Sequence, residues 1–311
     1  MRESYTFSDL RNWAVASAGI DPPIRLGVFG DPIEHSRSPQ MQNAALHACG
    51  IAMQYARFQI KDDELEAALR LLPALDFVGV NLTIPHKITG AQAMDELDGF
   101  AGGVNAVNTV RISDGKLVGY NTDGPGFSRA VRSEFSVELR DLRVLLFGAG
   151  GGVGRAIAMQ SAVEGCKRLA LVNRTPEKVR QLAAELRPFL ADTGVARVEA
   201  VPWDDDQLRS QIAHSDLIVN ATALGMLPSD FPVLKASLLA PHLMIYDTVY
   251  GAARTPLLDA AHEAGARAAN GLSMLLHQGA LAFETWFNRD APLAEMRAAL
   301  AIGPEHFVDR G

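Results

Sequence analysis

The chain has 311 residues, of which 48% are hydrophobic and 21% are charged. These are ordinary proportions for a folded globular protein, and they exclude a wholly disordered chain. With 36 acidic and 29 basic residues the net charge is −7, which provides no basic surface for nucleic acid or for an anionic membrane. The length predicts two domains.

The cysteines and histidines indicate neither a disulfide framework nor a metal site. Cys49 and Cys166 are too few for a framework, lack CxxC partners and are typical of reduced thiols. The eight histidines show no metal-binding spacing, so we expect no metal. No run approaches the roughly 18 apolar residues of a membrane span, and the first residues do not resemble a secretory signal. We therefore expect a cytoplasmic protein with no membrane and no nucleic-acid partner.

Apolar runs alternate with helical patterns, which predicts an α/β fold with mainly parallel sheets. A leader over residues 1–23 comes first, in which Ser8 and Asp9 are candidate caps of a short helix. The elements predicted next are a strand over 26–30, a helix over 39–49, a strand over 54–60, a helix over 62–72 and a strand over 77–82. This part of the chain is expected to form its own α/β domain.

A turn-rich segment over residues 122–126 is a candidate hinge. The elements predicted beyond it are a helix over 127–134, a strand over 143–147, a helix over 155–164, strands over 169–172, 217–220 and 244–247, and helices over 271–287 and 293–301. We predict one domain from residues 1–122 and 271–311, and a dinucleotide-binding domain from residues 123–270 inserted between them.

A glycine-rich turn lies between the strand over 143–147 and the helix that follows. Its glycines Gly148, Gly150 and Gly154 have the spacing GxGxxxG rather than the stricter GxGxxG. Glycines let backbone N–H groups approach a pyrophosphate, and the helix N-terminus adds positive potential. The alternative is a glycine-rich turn with no ligand, but the position between a strand and a helix favours a dinucleotide site.

The segment after the next strand indicates which dinucleotide is bound. NAD sites usually place an acidic residue about twenty residues after the glycines, whereas this chain has Asn173-Arg174-Thr175 and then Lys178. Arg174 provides a guanidinium suited to a 2′-phosphate, Thr175 a hydroxyl and Lys178 a further charge. We therefore predict NADP. The alternative is a solvated basic turn at a helix start.

Polar residues follow the predicted strands of the first domain, where ligands of open α/β sheets collect. Lys87 is a candidate proton donor and acceptor, and Asp123 is a candidate to orient it. Ser36 and Ser38 carry two hydroxyls that suit a small carboxylate or a polyol. Each has a structural alternative. These alternatives are a surface lysine for Lys87, a helix cap for Asp123 and an ordinary Ser/Pro helix entry for the two serines.

Taken together, these motifs resemble the shikimate dehydrogenase family. The matching segments occur in family order and are GDPIEHSRSP (30–39), NLTIPHK (81–87), VNAVNT (104–109), YNTDG (120–124), FGAGG (147–151), NRTPEK (173–178), VNATALGM (219–226), YDTVY (246–250) and NGLSMLLHQGA (270–280). The resemblance implies an N-terminal α/β substrate domain, a Rossmann-type doubly wound dinucleotide domain and a cleft between them. It also implies an oxidoreductase acting on CH–OH: reversible, NADPH-dependent reduction of 3-dehydroshikimate to shikimate, in chorismate and aromatic amino-acid biosynthesis.

The resemblance further implies a role for each residue that matches a family motif. Lys87 and Asp123 match the catalytic pair. The implied substrate contacts are Ser36, Ser38, Thr83, Lys87, Asn108, Asp123, Tyr250 and Gln278. The implied cofactor contacts are Gly148, Ala149, Gly150, Gly151, Gly152, Asn173, Arg174, Thr175, Lys178, Thr222, Gly271 and Met274.

Two other functions stay open at this point. One is a sister enzyme that acts on quinate, or on both acids, with NAD or NADP. Ser38 favours shikimate because a bulkier Thr at that position would suit quinate better, and Arg174 favours NADP. The other is a non-catalytic ligand sensor, although the chain keeps Lys87 and Asp123 and has no helix-turn-helix appendage. We expect a monomer or a homodimer with a small-molecule substrate. One suggested role of the leader is to form a subunit contact.

Overall fold

The computed structural model describes residues 2–190, 198–227, 229–251 and 254–300. The chain divides into two compact units. The first runs to Thr122 and takes in the chain again from Gln278, and the second runs from Asp123 to His277. The chain thus re-enters the first unit inside its last long helix, later than the expected position 271. The predicted segment over 301–311 lies outside the described residues, and the roles expected of the two units stay predictions.

The strands of the described residues form two sheets. In chain order they are β1 (Tyr5–Thr6), β2 (Ile24–Gly30), β3 (Gln54–Gln59), β4 (Gly79–Leu82), β5 (Glu96–Leu97), β6 (Thr109–Ser113), β7 (Lys116–Tyr120), β8 (Arg143–Phe147), β9 (Arg168–Val172), β10 (Val198–Val201), β11 (Leu217–Asn220), β12 (Met244–Asp247) and β13 (Arg267–Asn270). The first seven belong to the first unit and the other six to the second.

Helices alternate with these strands through most of the chain. They are α1 (Phe7–Arg11), α2 (Trp13–Ala16), α3 (Ser38–Ala48), α4 (Leu65–Leu71), α5 (Lys87–Gln92), α6 (Gly99–Val104), α7 (Asp123–Phe135), α8 (Gly152–Val163), α9 (Pro176–Leu190), α10 (Asp205–Ala213), α11 (Pro256–Glu263), α12 (Leu272–Phe287) and α13 (Leu293–Ala299). The helix predicted over 62–72 is α4 flanked by 3-10 turns at Asp62–Glu64 and Leu72–Leu75.

The sheet of the first unit is mixed rather than parallel throughout. Its order is β1-β3-β2-β4-β6-β7-β5, and β6 runs antiparallel to both β4 and β7. The β6–β7 hairpin was not predicted, although Asp114-Gly115 marks its turn. Both residues have positive φ, 51° and 76°, which is the conformation that a two-residue hairpin turn requires.

The sheet of the second unit is parallel, with the order β10-β9-β8-β11-β12-β13. This is the doubly wound order of dinucleotide-binding domains, in which the order reverses beside the first strand. The predicted strands over 143–147, 217–220 and 244–247 coincide with β8, β11 and β12. The division between the two units falls between Thr122 and Asp123, within the candidate hinge, and residues 123–126 form the first turn of α7. Pro125 is tolerated there because the first N–H groups of a helix have no acceptor within it. Whether this segment acts as a hinge stays a prediction.

The leader belongs to the core of the first unit. Tyr5, Leu10 and Trp13 are buried, and the Trp13 ring lies 5.7 Å from the ring of Phe58. Helix α1 is capped by Thr6 rather than by Ser8 or Asp9, because the Thr6 hydroxyl accepts the Asp9 N–H while the Asp9 carboxylate accepts the Thr6 N–H. These buried side chains are not available for a subunit contact.

The edge of β3 that does not pair with β2 is covered by a side chain as well as by strand β1. Strand β1 pairs only with Phe58 and Gln59. Nearer the start of β3, the Asn43 amide from α3 accepts the Tyr55 N–H at 2.8 Å and donates to the Tyr55 carbonyl at 2.9 Å. The amide therefore makes the two hydrogen bonds that a neighbouring strand would otherwise make.

Candidate active site

Strand direction brings several predicted residues of the first unit to one edge of its sheet. Strands β2 and β4 are parallel neighbours, and β6 runs antiparallel to β4 with Asn81 opposite Thr109. The segments that follow β2 and β4 therefore lie at the same edge as the start of β6. These segments carry the predicted substrate residues Ser36, Ser38, Thr83 and Asn108.

The Ser36–Ser38 segment is held by its backbone. The Ser38 N–H donates to the Ser36 hydroxyl at 3.4 Å, and Ser38 starts α3 with only 7% of its surface exposed. The Arg57 guanidinium donates twice to the Ser36 carbonyl, at 2.6 and 3.0 Å. Arg57 was not among the predicted residues. Its position as a charged residue inside the predicted strand over 54–60 is the signal that could have found it.

A buried histidine anchors the segment that leads to Lys87. The Thr83 N–H donates to the Phe29 carbonyl at 2.9 Å, and the Thr83 carbonyl accepts the His86 N–H at 2.8 Å. The His86 ring is fully buried with Nε2 at 2.7 Å from the Ile60 carbonyl. Because a carbonyl can only accept, Nε2 carries a proton. The backbone of residues 83–86, just before Lys87, is thus fixed at Thr83 and at His86.

Lys87 is the first residue of α5 and is half-buried. Its carbonyl accepts the Val107 N–H at 2.8 Å. The Lys87 backbone is therefore connected directly to the residue that precedes Asn108.

Asn108 lies in a buried network of hydroxyls and amides. Its Nδ2 donates to the Thr122 hydroxyl at 2.9 Å and to Gln278 Oε1 at 3.3 Å. Asn81, itself buried, donates to the Asn108 carbonyl at 3.0 Å and accepts the Tyr55 hydroxyl at 2.8 Å. The structure thus brings Asn108 and Gln278 together, and it adds Asn81 and Tyr55, whose spacing in the sequence indicates no such contact.

The part of α12 that begins at Gln278 is held to other elements of the first unit by two hydrogen bonds. The Gln42 side chain donates to the Gly279 carbonyl at 2.9 Å, and the Trp286 indole donates to the Val110 carbonyl at 3.0 Å. These bonds hold the Gln278 amide beside Asn108.

In the second unit, the glycine turn joins β8 to α8. Gly148 has a φ of +81°, and a Cβ added to it would lie 2.5 Å from the Ala221 carbonyl oxygen. A Cβ on Gly154 would lie 2.2 Å from the Gly148 carbonyl oxygen. The third glycine that the turn requires is therefore Gly154, which accounts for the GxGxxxG spacing. Gly151 is the N-cap of α8 and provides no side chain to bond the first N–H groups of that helix.

A cavity of about 630 Å³ lies beside this turn. The predicted cofactor residues that line it are Gly148, Gly150, Gly151, Asn173, Arg174, Thr175, Lys178 and Thr222. A Cβ on Gly150 would come within 3.1 Å of Asn173 and Lys178, so the open space depends on that glycine. Backbone N–H groups at a helix start, a guanidinium and an ammonium together form a donor set that suits phosphate groups. The cavity therefore fits a phosphorylated dinucleotide.

Basic side chains form part of the cavity lining, which also includes Asp230, whose carboxylate accepts the Gly225 and Leu227 N–H groups. Arg174, Thr175 and Lys178 are exposed along its wall. Glu177 does not line the cavity, and its Oε1 lies 3.5 Å from Nη2 of Arg180. The acidic residue that could repel a 2′-phosphate is thus paired with a cation of its own helix.

A buried carboxylate orders the segment of the cavity lining that carries Thr222. Asp247 accepts the Asn220 amide at 2.9 Å, and Asn220 Oδ1 in turn accepts the Thr222 N–H at 3.0 Å and its hydroxyl at 2.7 Å. Asp247 also accepts the Thr255 hydroxyl at 2.5 Å. Burial raises the pKa of Asp247 to about 6. The contact between Asp247 and Asn220 follows from their pairing in neighbouring strands and was not predicted.

Six other predicted residues of the second unit do not line this cavity. They are Asp123, Ala149, Gly152, Tyr250, Gly271 and Met274. Asp123 is the first residue of α7 and is buried, and Ala149 is fully buried. Gly271 packs against the Thr248 backbone, where a Cβ would lie 2.0 Å from the carbonyl oxygen. The Met274 N–H donates to the Tyr246 hydroxyl at 3.1 Å. The ligand contacts expected of these residues stay predictions.

Within the described ranges, no group of three or more His, Cys, Asp or Glu side chains is arranged to hold a metal ion. None of the helices in the described part of the chain is long and apolar enough to cross a bilayer. Cys49 and Cys166 are free thiols, and burial raises the pKa of Cys166 to about 12.

Three models of known families match successive parts of the chain. Residues 28–110 match the shikimate dehydrogenase substrate binding domain. Residues 129–227 match the family described as shikimate / quinate 5-dehydrogenase, and residues 271–301 match the shikimate 5′-dehydrogenase C-terminal domain. Together these matches cover most of the chain.

Individual relatives extend over nearly the whole length. The curated shikimate dehydrogenase (NADP+) of Methanopyrus kandleri is 41% identical over 277 residues, which are 88% of this chain and 94% of that protein. A crystal structure of a shikimate dehydrogenase in complex with NADP+ has 36% identity and a TM-score of 0.80, covering 89% of this chain and 94% of that one. The shikimate 5-dehydrogenase of Listeria monocytogenes, crystallised with shikimate and NAD, has 33% identity and a TM-score of 0.80 over 89% and 96%. The chain belongs to the shikimate dehydrogenase family.

Proposed function

We propose that this protein is an NADP-dependent shikimate dehydrogenase that reduces 3-dehydroshikimate reversibly to shikimate. The observation that carries the proposal is the cavity in which Arg174 and Lys178 stand beside the glycine turn, in a chain of the shikimate dehydrogenase family. The relatives compared above carry the name of this enzyme, and one of them was crystallised with NADP+.

The cofactor is held by the second unit. The N–H groups at the start of α8 face the pyrophosphate, and Arg174 with Thr175 and Lys178 binds the 2′-phosphate of the adenosine ribose. Thr222, fixed by Asn220, borders the dinucleotide beside the glycine turn. When bound, NADPH supplies the hydride for the reduction.

The substrate is held by hydroxyl and amide groups. Ser36 and Ser38 bind its carboxylate through hydroxyls, and Thr83, Asn108, Tyr250 and Gln278 bind its ring oxygens. Lys87 donates a proton to the carbonyl oxygen as negative charge develops there, and takes the proton back in the reverse direction. Asp123, the second member of the proposed catalytic pair, binds a neighbouring hydroxyl of the substrate.

A four-way assay tests the proposal. The purified protein is given shikimate or quinate, each with NADP+ or NAD+, and formation of reduced nicotinamide is followed by its near-ultraviolet absorbance. We expect strong reduction with shikimate and NADP+ only. Comparable turnover of quinate or NAD+ would favour the sister enzyme, an alternative that the shared shikimate / quinate family description supports. Binding of NADP+ without turnover of either acid would favour a ligand sensor.

The role of Lys87 is tested by the variant Lys87→Ala. Loss of a positioned general acid reduces turnover by a factor of about 100 or more, while binding of shikimate is expected to change little. Lys116→Ala is the matched control, because Lys116 is exposed and pairs with Glu96 at 2.7 Å. A Lys87→Ala variant with kcat close to that of the unsubstituted protein would contradict the assignment.

Three further assignments belong to this proposal. The enzyme acts in the chorismate pathway to aromatic amino acids, since shikimate is the acid that it forms. It works in the cytoplasm, in keeping with the free thiols of Cys49 and Cys166. It functions as a monomer or a homodimer, which analytical ultracentrifugation distinguishes directly.

A further inference from the structure

Trp203 is an aromatic residue that lies outside all of the sequence motifs. It follows β10 by two residues and is half-buried. In the register of the parallel pair β10–β9, Val201 lies opposite Val172. Trp203 and Arg174 therefore each come two residues after a paired position, at the carboxyl edge of neighbouring strands.

The Trp203 ring is fixed at the wall of the cavity beside the glycine turn. It packs edge-to-face on the buried Phe147 ring, with 5.2 Å between the ring centroids and 65° between the planes. Phe147 is the last residue of β8, so the indole is held by the strand that leads into the glycine turn. Among the described residues that line the cavity, Trp203 is the one aromatic side chain.

The chemistry of the dinucleotide calls for an aromatic surface at this place. The 2′-phosphate and the adenine are substituents of neighbouring carbons of one ribose. A phosphate bound by Arg174 therefore holds the adenine within a few ångströms of that residue. The wall that continues from Arg174 toward β10 is formed by Trp203. Replacing an aromatic side chain on which a base stacks by alanine weakens binding by a factor of about 5 to about 150.

We propose that Trp203 binds the adenine of NADP by stacking, and that it supports binding of the adenosine half of the cofactor independently of the 2′-phosphate contact. This inference rests on the proposed function, because it assumes that the cavity takes NADP. It assigns Trp203 to the adenine, which NADP and NAD share, whereas Arg174 binds the 2′-phosphate, in which they differ.

The test uses adenosine 2′,5′-bisphosphate, which carries the adenine and the 2′-phosphate but no nicotinamide. Its dissociation constant is measured by calorimetry for the full-length protein and for the variants Trp203→Leu and Trp203→Phe. We expect Trp203→Leu to weaken binding at least about five-fold and Trp203→Phe, which keeps an aromatic face, to weaken it less. Phe231→Leu is the control, since Phe231 is 84% exposed and does not line the cavity.

Fluorescence provides a second measurement, which reports contact between the ligand and the Trp203 indole without depending on a change in affinity. The chain has three tryptophans, and Trp13 and Trp286 lie in the first unit. We expect adenosine 2′,5′-bisphosphate to quench the emission of the unsubstituted protein and of Trp13→Phe, and to leave the emission of Trp203→Phe unchanged at saturation. Quenching that persists in Trp203→Phe, or equal affinity in Trp203→Leu, overturns the inference and leaves the proposed function intact. Failure of the unsubstituted protein to bind either NADP+ or the bisphosphate overturns both.

Discussion

Replacing Arg174 by alanine tests how the protein distinguishes NADP from NAD. Arg174 is exposed at the cavity wall, and within the described residues it forms no ion pair that the substitution would break. Its guanidinium is therefore available to meet a 2′-phosphate through two parallel N–H bonds. Lys178 lines the same cavity and supplies a second, less directional charge.

The expected magnitude follows from the exposure of Arg174. Hydrogen bonds to charged groups contribute about 1.5–3 kcal/mol, whereas ion pairs in solvent contribute about 0–1 kcal/mol. Because Arg174 is exposed, we place its contact at the lower end of the first range, about 1.5 kcal/mol. That free energy corresponds to a factor of about 10 in affinity.

The assay compares the KM of NADPH with the KM of NADH at saturating substrate. We expect Arg174→Ala to raise the KM of NADPH about ten-fold and to leave the KM of NADH nearly unchanged. Arg187→Ala is the control, because it removes the same charge from an exposed position of α9 outside the cavity lining. Equal losses for the two cofactors would refute the reasoning, since NADH has no 2′-phosphate.

Three further predictions concern the residues that build the site. Asp247→Asn is expected to remove a pH dependence of stability. The folded protein holds the Asp247 proton with a pKa of about 6, so the free energy of unfolding should fall by about 2 kcal/mol as the pH rises from about 4 to about 6. Urea unfolding across that range checks this, and an unaltered slope in the variant would contradict it. Gly148→Ala is expected to lower the melting temperature and weaken NADP+ binding, because its φ of +81° disfavours alanine and the Ala221 carbonyl occupies the Cβ position; a thermal melt identical to that of the unsubstituted protein would argue against this. Asn81→Leu is expected to destabilise the protein by about 1–3 kcal/mol by leaving buried polar groups unpaired, and to raise the KM for shikimate through Asn108; steady-state kinetics with intact KM would count against the second effect.

The strands of the second unit could be predicted because each is a short apolar run bounded by turn residues. β8, β11 and β12 are buried on both faces of a parallel sheet, and for such strands hydrophobicity alone indicates the bounds. Two-residue strands such as β1 and β5 carry no such pattern. The capping of α1 by Thr6 depends on a reciprocal bond with Asp9 that the sequence suggests only when the two are considered together.

The residues of the candidate site could be predicted from motif position, but the contacts that hold them could not. Asn81 and Tyr55 come together because β4 and β3 both pack beside β2. Asp247 and Asn220 meet because they are opposite one another in neighbouring strands. Such contacts depend on strand order and register, which a spacing pattern along one segment does not contain.

The edges of the seven-stranded sheet have a consequence for how copies of this protein behave at high concentration. An open strand edge offers unpaired N–H and C=O groups on which another chain can add a strand. Here both outermost strands, β1 and β5, are two residues long, and the Asn43 amide occupies the backbone of Tyr55 where β1 does not reach. The leader therefore serves solubility as well as packing. Without it, β3 would present the backbone of Phe58 and Gln59 to strand addition, and association of partly folded chains would compete with folding.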